Sequence, residues 1–340
     1  MIDPRTTQPL VEARNLSKYF PVGGGLGARL RGAEPESLKA VDGVSLSIQK
    51  GETLGLVGES GCGKSTLGRV LLRLYEPTSG EIFHNGVDIL HHTARSTREL
   101  RTKMQMVFQD PYSSLNPTMT VRQALTEVLK VHGLCPPNER VERVNHLLDL
   151  VGLSPEMAER KPHQFSGGQR QRIGIARALA VQPDFIVADE AVSALDVSVQ
   201  AQVLNLLMRL QEQLDLTYLF VAHNLGVVKH ISRRVAVMYL GRIVELASTA
   251  DLFQEPLHPY TQALMRAVPK PVPVKKMPMP ALEGDPPNPI NRPTGCHFHT
   301  RCPYVMPICR SEYPPLIQIG QNRMVACHLH PGTAPSEARA

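Results

Sequence analysis

Residues 54–66, Leu-Gly-Leu-Val-Gly-Glu-Ser-Gly-Cys-Gly-Lys-Ser-Thr, concentrate chemistry in one short stretch. Four mostly apolar residues, Leu54 to Val57, predict a buried strand. Gly58 and Gly63 bracket the turn after it, with Glu59, Ser60, Gly61 and Cys62 between them. Lys64, Ser65 and Thr66 open a predicted helix whose apolar positions are Leu67, Val70, Leu71 and Leu74. Glycines let backbone N–H groups point inward around phosphates, and a helix N-terminus adds a favourable dipole. Lys64 can reach β- and γ-phosphates, and the Ser65 hydroxyl can ligate Mg²⁺. A Gly-rich turn with no ligand is the plain alternative; the strand before and the helix after favour a nucleotide site.

Two further stretches carry chemistry. Asp189-Glu190 closes the apolar run Phe185–Ala188, which would put one carboxylate on Mg²⁺ and a second beside a γ-phosphate to orient or deprotonate water. An acidic strand end is common enough that this pair alone is weak. Phe165-Ser166-Gly167-Gly168-Gln169 leads into the basic amphipathic stretch Arg170–Ala180. A Ser-Gly-Gly turn at a helix start is a second anion-binding terminus, so one chain would hold two phosphate sites facing different ways.

The elements that must position these residues follow from patterning. Residues 11–20 predict a strand ending in Tyr19 and Phe20, and residues 38–48 a half-buried strand with a turn at Asp42-Gly43. The Gly- and Arg-rich stretch from Gly23 to Gly32 predicts a mobile surface loop. Short strands are expected at 81–83, 104–108 and 219–222, with Gln109 and His223 where the last two stop. A helical stretch over 121–151 is broken by Pro136-Pro137, and residues 197–214 carry Val199, Val203, Leu207, Leu210 and Leu214 at helical spacing, a core stripe. Strands alternating with helices indicate a parallel α/β sheet with ligands beyond the strand carboxyl ends.

Composition sets limits. At 340 residues the chain is long enough for two domains, and its formal net charge of +6 is a mild excess of solvated Lys and Arg. Tryptophan is absent and aromatics are scarce, which argues against a stacking surface for single-stranded nucleic acid. No run approaches 18 apolar residues, and the first residues lack a secretory pattern; a cytosolic setting with free thiols is expected. Of 29 prolines, 17 fall in the last 90 residues, so a compact helical or sheet domain is not expected there. Residues 258–268 still predict one short helix, and 269–293 an extended Pro-rich linker.

The set Gly58–Ser65, Gln109, Phe165–Gln169, Phe185–Glu190, Ser193-Ala194-Leu195-Asp196 and His223 resembles the ATP-binding subunit of ABC transporters over roughly residues 10–250. The resemblance implies a P-loop NTPase core of the α/β class, residues 1–254, with a helical subdomain at about 110–165 facing a membrane partner. Phe20, or neighbouring Tyr19, would stack on adenine. The loop from Gly58 to Thr66 would hold the phosphates. Ser65, Gln109 and Asp189 would hold Mg²⁺ directly or through water, Glu190 would be the general base and His223 the γ-phosphate switch. Ser166, Gly167, Gly168 and Gln169 would complete the ATP site of an opposite subunit, with Asp196 in the loop linking the two sites. Two positions depart from the family: Ala191 stands where Pro is usual and Asn224 where Asp is usual. Ala191 leaves both carboxylates in place and Asn224 keeps hydrogen-bonding capacity while losing a charge, so the departures bear on the rate of hydrolysis and imply no loss of ATP binding. The alternative they raise is an ATP-binding subunit with little hydrolysis of its own, against which intact Glu190 and His223 argue.

The tail narrows the resemblance. Pro256-Leu257-His258-Pro259-Tyr260-Thr261-Gln262 and Gly295-Cys296 through Cys302-Pro303 are similar to the extension, here 255–340, of oligopeptide and dipeptide importer ATPases. That family implies a second, related ATPase chain as heterodimer partner, two transmembrane permease subunits, an extracytoplasmic substrate-binding protein, no nucleic acid, and a place on the cytoplasmic face of the plasma membrane. Nickel and other small-solute importers share the type. Four of six cysteines, Cys296, Cys302, Cys309 and Cys327, gather within 32 residues, which suggests a metal site in place of a hydrophobic core. Zn²⁺, with His297, His299, His328 and His330 as further donors, and no metal at all stay open on the residues alone. The family implies a [4Fe–4S] cluster.

Overall fold

The short, mostly apolar runs at 54–57, 104–107, 185–188 and 217–222 become strands, and the polar or glycine residues beyond them become loops. The computed structural model describes residues 8–22, 36–91, 93–110, 115–266, 285–320 and 323–330. In chain order its strands are β1 Val11–Val22, β2 Glu36–Ile48, β3 Thr53–Val57, β4 Ser79–His84, β5 Val87–Asp88 and β6 Met104–Val107. They continue with β7 Phe185–Asp189, β8 Thr217–Ala222, β9 Arg234–Tyr239, β10 Arg242–Ser248, β11 Ile317–Ile319 and β12 Arg323–Val325. The chain divides into two compact units, each assembled from separated segments.

The first unit takes in Ile48–Thr53 and Phe83–Val221. Here β6, β7 and β8 run parallel, with Met104 opposite Phe185 and Phe185 opposite Thr217. Every residue of β7 and β8 is buried, as the unbroken apolar runs require of a sheet covered on both faces. Helix Val121–Val131 starts at a capping box of Thr120 and Gln123 and buries Val121, Leu125 and Leu129. Pro136-Pro137 separates it from helix Arg140–Leu150, which buries Val144, Leu147 and Leu148. Helix Gly167–Leu179 and helix Val197–Leu214 follow, the latter with Val203, Leu207 and Leu210 in the core as its stripe predicts.

The second unit takes in Glu12–Ser47, Leu54–Ile82 and the residues from Ala222 onward. Strand β1 lies between β2 and β4. Strand β3 pairs in parallel with β9, Leu54 opposite Arg234, and β9, β10, β12 and β11 continue antiparallel.

Two expectations are corrected. Asp42-Gly43 is not a turn: β2 runs through it, with Gly43 at φ +64. The polar groups that would favour a turn are satisfied in place, since Asp42 N–H donates to Gly241 O (2.9 Å) and Gly43 N–H to Ser17 Oγ (3.0 Å). The extension is also more ordered than its prolines suggest. It adds β11 and β12 to β10, with Val325 opposite Glu245. Gly23–Gly32 and residues 269–284 of the expected linker lie outside the described residues.

Candidate active site

The loop after β3 has the architecture that its glycines predict. Gly63 sits at φ +109, and a Cβ there would collide with the Ala40 carbonyl oxygen; one on Gly58 would strike that of Met238. No larger residue fits either place. Gly241 N–H donates to Cys62 O (2.8 Å), tying the turn to the β9–β10 connection. Gly63 caps helix Lys64–Leu71 without a side-chain hydrogen bond, which leaves amide donors at the helix start for an anion. Lys64 is buried and its Nζ donates to Gly58 O (2.9 Å) and Glu59 O (3.0 Å), so the ammonium is held inside the loop it would share with a phosphate. Cys62 is buried beside it, and burial raises its thiol pKa.

In the same unit Tyr19 and Phe20 lie near the end of β1. The Tyr19 hydroxyl donates to Asp42 Oδ1 (2.6 Å), while Phe20 meets Tyr75 edge to face with ring centres 5.7 Å apart. His223 follows β8 in an exposed position, and Asn224 caps helix Leu225–Ile231, its Oδ1 accepting from Gly226 N–H (2.8 Å). The departure at Asn224 is thus a helix cap, a role that an Asp would also fill.

The first unit brings three predicted residues together. Asp189 ends β7, 2% exposed. Glu190 takes a left-handed backbone (φ +47); its N–H donates to Val221 O (3.0 Å), and the Gln109 side chain donates to its carboxylate (2.8 Å). Ser193 fixes the turn beyond, donating N–H and Oγ to Glu190 O (3.0 and 2.9 Å). Ala191 is buried there. Ser166 and Gln169 form a reciprocal capping box at the start of helix Gly167–Leu179: Ser166 N–H donates to Gln169 Oε1 (3.0 Å) and Gln169 N–H to Ser166 Oγ (3.3 Å). Gly168 lies so close to Val199 that a Cβ would collide with it. An open cavity of about 310 Å³ lies here, lined by Ser166, Gly168, Gln169, Arg172, Val199 and Gln202 among others. Asp196 caps the next helix; hydrogen bonds from the Ser198 hydroxyl and Val199 N–H hold its carboxyl below the usual range.

In the extension Cys296, Cys302, Cys309 and Cys327 are free thiols lining one small cavity, with Phe298, His258, His299 and His328 also on its wall. Burial pushes the Cys296 and Cys327 thiols up to about 11. Among the described residues, no group of three or more His, Cys, Asp or Glu is arranged as a holder for a metal ion. Of the four histidines expected as further donors, three have a ring nitrogen against a backbone carbonyl: His299 with Cys296 O, His328 with Glu312 O and His330 with Leu257 O.

Two family models match the chain: ABC transporter over residues 41–193, and oligopeptide/dipeptide transporter, C-terminal region, over 244–309. The oligopeptide transport ATP-binding protein AppF of Bacillus subtilis is 53% identical over 327 residues, 95% of this chain and 98% of that one. The chain belongs to the ABC transporter ATPases. Within that family it carries the oligopeptide/dipeptide type of C-terminal region. A Sinorhizobium fredii protein, y4tS, named as a probable peptide ABC transporter ATP-binding protein, is 51% identical over 97% of this chain and 91% of its own length. A solved ATP-binding cassette, MJ0796, dimeric in a post-hydrolysis state with ADP and Pi, matches at TM-score 0.61 and 29% identity, over 70% of this chain and 98% of that one.

This ABC ATPase also holds contacts that residue patterns do not announce. Arg301 donates through both terminal nitrogens to the Glu59 carboxylate, at 2.8 and 3.0 Å. Tyr260 accepts the Glu59 N–H on its hydroxyl (2.7 Å). Asp42 receives Tyr19, Arg242 (2.9 Å) and Arg292 (2.7 Å) at one carboxylate. A charged residue set among cysteines was the one available signal for Arg301, and nothing near Glu59 points to it.

Proposed function

We propose that this ABC ATPase hydrolyses ATP to energise import of di- and oligopeptides through a membrane transporter. The observation that carries the reading is the Gln109–Glu190 hydrogen bond next to buried Asp189: a strand end built to aim a base. Glu190 would deprotonate or orient the attacking water. Lys64 and the Gly58–Thr66 amides would hold the phosphates, Phe20 the adenine, and His223 the γ-phosphate. Ser65, Gln109 and Asp189 would hold Mg²⁺, for which a hydroxyl, an amide oxygen and a carboxylate are suitable hard-oxygen donors. When bound, Mg²⁺ would neutralise charge on the phosphates. Ser166, Gly167, Gly168 and Gln169 would complete the site of an opposite subunit, and Asp196 would lie on the link between the two sites.

The peptide substrate is supported by the matched C-terminal region and by the names of the relatives. The partners in this reading are a related ATPase chain, two permease subunits and, indirectly, an extracytoplasmic binding protein. The subunit would sit on the cytoplasmic face of the plasma membrane; no described helix is long and apolar enough to cross one. Residues 1–254 would be the ATPase domain, its helical subdomain at about 110–165, and residues 255–340 the extension. Four thiols on one cavity wall are a soft donor set that suits a [4Fe–4S] cluster, with Zn²⁺ the alternative. The deciding experiment is reconstitution of the complex in vesicles with peptide outside. ATP-dependent uptake that Glu190→Gln abolishes is expected; native uptake unaffected by that change would refute the reading.

A further inference from the structure

The extension reaches the phosphate loop by two routes. Arg301, 5% exposed at its side chain, makes a bidentate pair with Glu59, which is 23% exposed. Tyr260 is fully buried, its ring tilted against those of Tyr239 (4.6 Å between ring centres) and Phe298 (5.5 Å), and its hydroxyl accepts the Glu59 amide proton. Phe298 and Arg301 lie between Cys296 and Cys302 in the chain. A third contact sits at strands β1 and β2: Arg292 pairs with Asp42 of β2, which holds the hydroxyl of Tyr19 on β1.

A carboxylate inside a loop meant for a triphosphate is a liability, since like charges a few ångströms apart repel strongly in a partly buried site. A bidentate guanidinium removes that liability and fixes the loop backbone as well. We propose that Arg301 and Tyr260 are positioning residues for nucleotide binding: they neutralise and orient Glu59, so that the affinity of the loop for ATP depends on the cysteine-bearing extension. This rests on the reading of Gly58–Thr66 as the ATP-binding loop. Linkage then runs both ways, and bound nucleotide stabilises the extension by the same factor by which the extension strengthens nucleotide binding.

The test is equilibrium binding of a fluorescent ATP analogue with Mg²⁺ to the full-length chain, with thermal melts in the absence of nucleotide. Arg301→Gln is expected to weaken binding about tenfold, Arg301→Lys less, because a lysine keeps charge and loses the fork. Adding Glu59→Gln to Arg301→Gln should recover at least about threefold, since the unpaired carboxylate is then gone. Loss of folding would not be rescued in that way. Tyr260→Phe, which removes only the hydroxyl, should weaken binding by about threefold and covers the case in which Arg301→Gln does not fold. Native affinity in Arg301→Gln or in Tyr260→Phe, or a double variant no better than Arg301→Gln, overturns the proposal. Lys64→Ala separates the two levels: undiminished binding there would refute the ATP-loop reading itself.

Discussion

The Gln109 amide donates to the Glu190 carboxylate across 2.8 Å, joining the ends of the adjacent parallel strands β6 and β7. Because a carboxamide both donates and accepts, Gln109 can steady the base through its nitrogen and still offer its oxygen to a cation. The backbone of Glu190 is left-handed. Its φ of +47 is held by Val221 O on one side and by Ser193 on the other, and the Gln109 amide holds the carboxylate.

Removing that support should cost rate more than affinity. Gln109→Ala is expected to lower kcat for ATP about 10- to 100-fold, the penalty typical of a misplaced catalytic group. Single-turnover hydrolysis at saturating ATP measures it. A kcat within twofold of native would mean that Glu190 finds its place without Gln109.

Gly168 makes a different demand. Val199 leaves no room for a Cβ there, so Gly168→Val must push helix Gly167–Leu179 away from helix Val197–Leu214 at the turn that would meet the opposite subunit. Turnover of the assembled complex should fall by at least about tenfold while nucleotide binding to the single chain changes by less than about threefold. Ser166→Ala tests the cap itself and should cost about 1 kcal/mol in denaturant unfolding. Equal loss of binding and turnover in Gly168→Val would place this turn in the chain's own pocket.

Asp42 supplies a pH signature. Burial alone would raise its carboxyl pKa; hydrogen bonds from Tyr19 and Arg242 and the charges of Arg242 and Arg292 outweigh it and lower the value to about 2. A carboxyl with a folded pKa below its unfolded value, about 3.9, binds more protons when unfolded, so it stabilises the fold fully above that value. That stability should drain away as pH falls from about 4 to about 2. In Asp42→Asn the slope over this window should be shallower. Chemical denaturation at stepped pH reads it, and identical slopes in the two proteins would show that Asp42 is not the group responsible.

The boundary between what residue patterns disclose and what they hide follows sequence distance. The glycine loop, the Ser166–Gln169 cap and the strand ends at Gln109, Asp189 and His223 are legible because each is a local event: a turn, a cap, an apolar run that stops. The helix 197–214 is legible from its stripe alone. Strands β11 and β12 are three residues each, too short for any period to register, and they exist because β10 offers a partner edge. Arg301 and Glu59 are 242 positions apart, and Arg292 and Asp42 are 250 apart. No local pattern links such pairs. The Asp42-Gly43 turn fails for the same reason: the dipeptide favours a turn locally, and distant Gly241, Arg242 and Arg292 hold it in a strand instead.

The cysteine cavity yields the last test, of what fills it. Four thiols gathered on one small cavity would gain stability from a shared soft metal group, because binding free energy then becomes folding free energy. Protein purified without air should contain about four iron and four sulfide per chain, with visible absorbance that dithionite bleaches. Cys309→Ser, at the most buried of the four thiols, should lose most of the iron and lower the melting temperature of the extension. Stoichiometric zinc with no iron would reject the cluster and leave a tetrahedral thiolate site. Full-length protein free of both metals, melting at the same temperature with and without added iron and sulfide, would mean that the aromatic cluster of Tyr239, Tyr260 and Phe298 holds the extension unaided.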